Sequence, residues 1–123
     1  MIRVRSGRRP RHVNGEMNRT EAKFYDDYIL PRIMRKEILW AQFEGITLRL
    51  GERCSWTPDF LVLLADGTLE ALEVKGHWED DARVKFKATA SLFPWLTIRA
   101  FRPLPKHQGG GWDEEVLNPP EPS

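Results

Sequence analysis

The chain has 123 residues, 41% hydrophobic and 30% charged, with a formal net charge of +1 and one cysteine. That length suits one modest domain and excludes two. The composition excludes a disordered chain and a membrane-embedded one, and no apolar run approaches the ~20 residues of a membrane span.

The first 20 residues carry six arginines, Arg3, Arg5, Arg8, Arg9, Arg11 and Arg19, against the single acid Glu16. Such an arm either attracts a polyanion electrostatically or serves as a solubilising tail. Gly7, Pro10 and Gly15 punctuate residues 1–17, which show no periodicity and read as a flexible arm. No apolar signal core is present near Met1, so a cytoplasmic protein is expected.

A helix is predicted to begin near Asn18–Thr20. Asn18 suits an N-cap and Glu21 completes a capping box three residues on. Phe24, Tyr25, Tyr28, Ile29 and Ile33 supply its apolar face. Pro31 either stops this helix or kinks it before it resumes through about Arg35. Residues 38–43 and 46–50, around Glu44-Gly45, predict a strand pair or one bent strand. Cys54 lacks a Cys or His partner at metal-ligand spacing and reads as a small core residue.

Strands are predicted at about 59–64 and 69–75, joined by the hairpin signal Asp66-Gly67. A second helix follows over 79–92, its first turn acidic through Glu79, Asp80 and Asp81. Val84, Ala88 and Ser91 or Leu92 mark one face of it, and Pro94 ends it. A last strand is predicted over 96–101, and the Pro/Gly-rich stretch 103–123 reads as a loose tail. The order α-β-β-β-α-β, within a domain over 18–102, is that of a small α/β fold around a mixed sheet.

The charges in the hairpin call for an explanation. Asp59 is open to reading as an ordinary turn acid after Pro58, and Glu73 with Lys75 as an exposed pair on one strand face. Ala71 shares that face, however, so it is not simply polar. Folding at Asp66-Gly67 brings Asp59 to the end of its strand beside Glu73 and Lys75. Two carboxylates so close repel unless a cation lies between them. Oxygen donors without His or Cys suit Mg²⁺ or Mn²⁺, which keep waters and bind phosphate. A neighbouring lysine suits orientation of an attacking water.

Pro58-Asp59, followed after fourteen residues by Glu73-Val74-Lys75, resembles the PD-(D/E)XK nuclease signature. Thr20-Glu21-Ala22, Trp56-Thr57-Pro58-Asp59-Phe60, Glu73-Val74-Lys75-Gly76, Trp78, Asp80-Asp81-Ala82-Arg83 and Lys85 together are similar to a phage-associated family of small proteins catalogued as DUF1064, over roughly residues 18–102. The resemblance implies a restriction-endonuclease-like core and a metal-dependent endonuclease acting on DNA. It implies Asp59 and Glu73 as metal ligands together with the main-chain carbonyl of Val74, and Lys75 beside the nucleophilic water. Glu21 matches a first-helix acid that Holliday junction resolvases place near the metal, and it equally completes the capping box. A phage role in replication, recombination, packaging or branched-DNA resolution, and a homodimer, are expected by analogy.

On the second helix, Asp81 and Lys85 are spaced to pair, whereas Arg83 and Lys87 are like charges at i, i+4. Contact with DNA phosphates by Lys85, Lys87 and Arg83, together with Arg8, Arg9 and Arg11 of the arm, is one reading; a solvated face is the other. Trp56, Trp78 and Trp95 are read as packing rather than base stacking. The histidines His12, His77 and His107 are scattered, and His77 is read as a loop residue or as facing the substrate. A non-catalytic DNA-binding module on the same fold is the alternative to the nuclease.

Overall fold

A computed structural model of the chain describes residues 2–4, 17–76 and 80–117, with backbone alone for 2–4 and 80–83. The element order is β1 (Ile2–Val4), α1 (Arg19–Phe24), a π-helical turn (Tyr25–Ile29), α2 (Leu30–Met34), β2 (Ile38–Phe43), β3 (Ile46–Gly51), β4 (Cys54–Trp56), β5 (Phe60–Leu64), β6 (Leu69–Val74), α3 (Asp80–Leu92), β7 (Thr97–Pro103), a 3₁₀ turn (Lys106–Gln108) and β8 (Trp112–Val116).

The capping box forms as its residues require. The Asn18 side chain accepts from the Glu21 N–H at 2.8 Å, and the Asn18 N–H donates to Glu21 Oε1 at 2.9 Å. Pro31 does not end the helix. A proline ring inside a regular α-helix collides with the carbonyl four residues earlier. Here the preceding turn widens, with the Leu30 N–H reaching back to the Tyr25 carbonyl, and the helix continues to Met34.

Five strands form a mixed sheet in the order β2-β5-β6-β7-β8. Its neighbours are antiparallel except β6 and β7, which run parallel and are joined through α3. A second, antiparallel sheet has the order β1-β3-β4. Both faces of the central strands are covered. Leu61, Ala71, Ile98 and Ala100 pack with Phe86 and Ala90 of α3, with Phe93 just after it, and with Ile46, Leu48 and Trp56 of the small sheet. Phe60, Val62, Leu72, Val74 and Phe101 pack on the opposite side with Phe24 and Ile29. The Phe24 ring lies 4.6 Å from that of Phe101 and 5.8 Å from that of Phe60, anchoring the first helix to the sheet.

Several expectations are corrected. β2 and β3 neither pair nor form one strand: β2 joins the large sheet and β3 the small one. Glu44-Gly45 is the corner between them. Glu44 has φ 51°, and a Cβ at Gly45 would lie 2.9 Å from the Gln42 Cβ. Local turn chemistry signals a reversal, but the choice of strand partner is tertiary. β4 was not expected, and Cys54 at its start is exposed rather than in the core.

The buried face of α3 is Phe86, Thr89 and Ala90, continued by Phe93 just past its end, not Val84, Ala88 and Ser91 or Leu92, since Val84 and Leu92 are large exposed hydrophobics. Two phenyl rings bury more apolar area than the competing aliphatic stripe, and they set the helix rotation.

The ordered fold also extends beyond 18–102. Ile2–Val4, within the expected flexible arm, pairs with β3, and Trp112–Val116, within the expected loose tail, pairs with β7. β8 is acid-rich and carries little strand propensity. It is held through Arg99–Glu114 at 2.8 Å and Arg102–Asp113 at 3.1 Å across the ladder. Among the described residues, no helix is long and apolar enough to cross a membrane.

Candidate functional site

The β5–β6 hairpin aligns the site. Gly67 takes φ 90°, and Asp66 Oδ1 accepts the Thr68 N–H at 2.9 Å, closing the turn. Phe60 then pairs with Leu72, so Asp59 falls opposite Glu73. Beyond that pair the main-chain ladder gives way to side-chain bonds. The Asp59 N–H donates to Glu73 Oε1 at 3.0 Å, and the Val74 N–H donates to Asp59 Oδ2 at 2.8 Å. The Asp59 carbonyl accepts the Glu44 N–H at 2.7 Å, which ties the acid to the β2–β3 corner.

Lys75 completes the group. Its Nζ lies 3.0 Å from Glu73 Oε2, and its N–H donates to the Phe101 carbonyl at 2.8 Å. The Glu73 side chain is 6% exposed and that of Lys75 36%, so the cation stands at the mouth of a buried acid. The Phe86 ring centroid is 6.0 Å from Lys75 Nζ, and Trp56 packs 4.8 Å from Phe86. The Trp56 Nε1–H is buried without a hydrogen bond of good geometry. It nevertheless contributes a small lowering influence on the Glu73 carboxyl.

The electrostatics follow from this burial. Asp59 is pushed up to about 8, first by burial, then by the Glu73 charge, with the Val74 N–H opposing and the Glu21 charge adding to the rise. Glu73 is also raised by burial, against the pull of Lys75. Burial lowers the Lys75 ammonium, but Glu73, Asp59 and Glu21 outweigh it and hold the ammonium above its ordinary value. Lys75 contacts Glu73 directly and favours its charged form, while the two acids titrate together as a pair.

Of the expected residues, Asp59, Glu73, Val74 and Lys75 are brought together. Glu21 serves as the cap partner while its charge acts on both Asp59 and Lys75. Lys85 is half-buried and Lys87 exposed on α3. The Arg83 side chain and Arg8, Arg9, Arg11, His12, His77 and Trp78 lie outside the described residues. Trp56 is core packing, as expected, whereas Trp95 is half-exposed against Phe93. The N–H of Val74 and the ring of Phe86 had not been anticipated. The first has no side-chain signature, and the second is legible only once the rotation of α3 is known.

Among the described residues, no three His, Cys, Asp or Glu side chains converge as a closed metal cage. The buried Glu73 and half-buried Asp59 carboxylates, with all-oxygen chemistry, still fit Mg²⁺ or Mn²⁺, since Mg²⁺ usually takes one or two carboxylates and fills its remaining positions with water and phosphate. The chain matches no family model, no curated protein and no solved structure.

Proposed function

We propose that this chain is a divalent-metal-dependent endodeoxyribonuclease with a restriction-endonuclease-like core, hydrolysing phosphodiester bonds in DNA. The observation that carries the reading is the juxtaposition of Asp59, Glu73 and Lys75 at the end of one hairpin. Asp59, Glu73 and the Val74 carbonyl would hold Mg²⁺ or Mn²⁺. The bound ion would supply Lewis-acid polarisation of the phosphate and a more acidic water.

The protein groups act by position. The Asp59 N–H and Lys75 Nζ occupy opposite oxygens of Glu73 and hold that carboxylate in one orientation. The Val74 N–H does the same for Asp59. Lys75, half-exposed, has further N–H donors for a water or a phosphate oxygen. Phe86 and Trp56 close the side facing α3 and keep the acids in a low-dielectric setting. Glu21 adds negative charge nearby. DNA as partner, a homodimer, a cytoplasmic setting and a phage role in DNA processing or branched-DNA resolution belong to the same reading.

A second reading has one observation in its favour. Both Glu73 oxygens already have partners, so the cluster is satisfied without an ion, as in a DNA-binding module that does no chemistry. Cleavage assays on labelled duplex, single-stranded, flapped and four-way DNA, with Mg²⁺, Mn²⁺ or chelator, decide between the two. Metal-dependent cutting lost in Lys75→Ala supports the nuclease; binding without cutting of any substrate supports the module.

A further inference from the structure

The small sheet shows one face to the core through Ile46, Leu48 and Trp56. Its other face is of mixed polarity. Thr47, Arg49, Glu52, Arg53 and Ser55 are among the residues that line an open cavity of about 590 Å³ there. The Thr47 and Thr57 hydroxyls lie 2.7 Å apart on this side. Arg49 and Arg53 are exposed, and among the described residues neither has an acidic partner within ion-pair distance.

We propose that this groove binds the sugar-phosphate backbone of a nucleic acid and leads it to the Asp59–Glu73–Lys75 cluster. The inference rests on the nuclease reading for its purpose but not for its binding chemistry. Two guanidinium forks without an ion-pair partner among the described residues, and the Ser55 hydroxyl, match phosphate oxygens. Among the described residues no aromatic side chain lines the cavity, which suits contact with phosphate rather than base stacking.

The chain itself leads from the cavity towards the acids. Ser55 lies on β4, and the chain runs through Trp56, Thr57 and Pro58 directly into Asp59. Four residue steps span at most about 13 Å, roughly the axial rise of four nucleotides of one strand. The backbone of Arg3 in β1 pairs opposite Thr47 in the same sheet.

Arg53 adds an independent clue. It sits at the β3–β4 turn with φ 60°, a conformation that favours glycine. Replacing it with glycine therefore relieves the backbone while removing the cation.

The test is fluorescence anisotropy of the full chain with labelled single-stranded and duplex DNA, in chelator, over a salt series. Arg49→Ala combined with Arg53→Gly is expected to weaken binding at least tenfold and to reduce the slope of log K against log salt by about 1.5. Its melting temperature is expected to stay within a few degrees of wild type. Glu52→Gln is expected to tighten binding two- to threefold, a direction that damage to the fold does not produce.

An unchanged salt slope in the double variant, or no DNA binding by the wild type, overturns the groove. Cleavage with Mg²⁺ is read in parallel. Groove-dependent binding without cutting leaves the groove standing and the nuclease reading overturned. Cutting that is indifferent to Arg49 and Arg53 does the reverse.

Discussion

The main-chain N–H of Asp59 donates to the side chain of Glu73 at 3.0 Å, so the two acids are joined backbone to carboxylate as well as facing each other. Asp59 answers by accepting the N–H of Val74, the residue after Glu73. The end of the hairpin is thus a closed loop of two bonds, and neither acid can shift without displacing the other strand. Lys75 is held by the same Glu73, so one buried carboxylate organises the group.

Lys75→Ala is expected to lower metal-dependent DNA cleavage by about 10²–10⁴-fold, the usual range for a group that positions a proton transfer, while DNA affinity in chelator changes less than threefold. Glu73→Gln is expected to lose cleavage similarly. Single-turnover rates beside anisotropy measure both. A Lys75→Ala protein that cuts at the wild-type rate removes this residue from the chemistry.

Asp59 makes metal-free stability depend on pH. Its carboxyl titrates near 3.8 ordinarily and near 8 in the fold. Between those values the unfolded chain has released the proton and the folded one retains it. Stability is therefore highest below about pH 4 as far as this group is concerned, falls as pH rises towards 8, and levels off above. The loss is on the order of a few kcal/mol. Urea midpoints in chelator from pH 5 to pH 8.5 should decline, and Asp59→Asn should flatten the decline. Mg²⁺ should raise the melting temperature more at pH 8 than at pH 5, because it competes with that proton.

Gly45→Ala tests the corner between the sheets. A Cβ there would lie 2.9 Å from the Gln42 Cβ, so the corner must shift. The expected cost is about 1–3 kcal/mol in chemical denaturation. The adjacent Glu44 N–H holds the Asp59 carbonyl, so cleavage should fall more than the lost stability alone accounts for.

The rotation of α3 is open to a paired substitution. Phe86→Ala should cost about 3–5 kcal/mol, since the ring is buried against Trp56. Val84→Ser, at an exposed position, should change stability by less than about 0.5 kcal/mol. Equal effects from both would restore the aliphatic face suggested by spacing alone.

Local chemistry by itself determined the capped start at Asn18, the hairpin at Asp66-Gly67 and the meeting of Asp59 with Glu73 and Lys75. Each depends on residues a few positions apart or on one turn of fixed register, so short-range rules suffice. Only the tertiary structure decided which sheet β2 and β3 would join, that Ile2–Val4 and Trp112–Val116 would become strands, and which face of α3 would be buried. Those outcomes depend on partners far away in the chain: an edge strand rich in acids is ordered by Arg99 and Arg102, and a helix is rotated by the aromatic area it finds opposite. The proton on Asp59 belongs to the same class, because burial raises its carboxyl more than any neighbouring charge, and burial is a property of the packed whole.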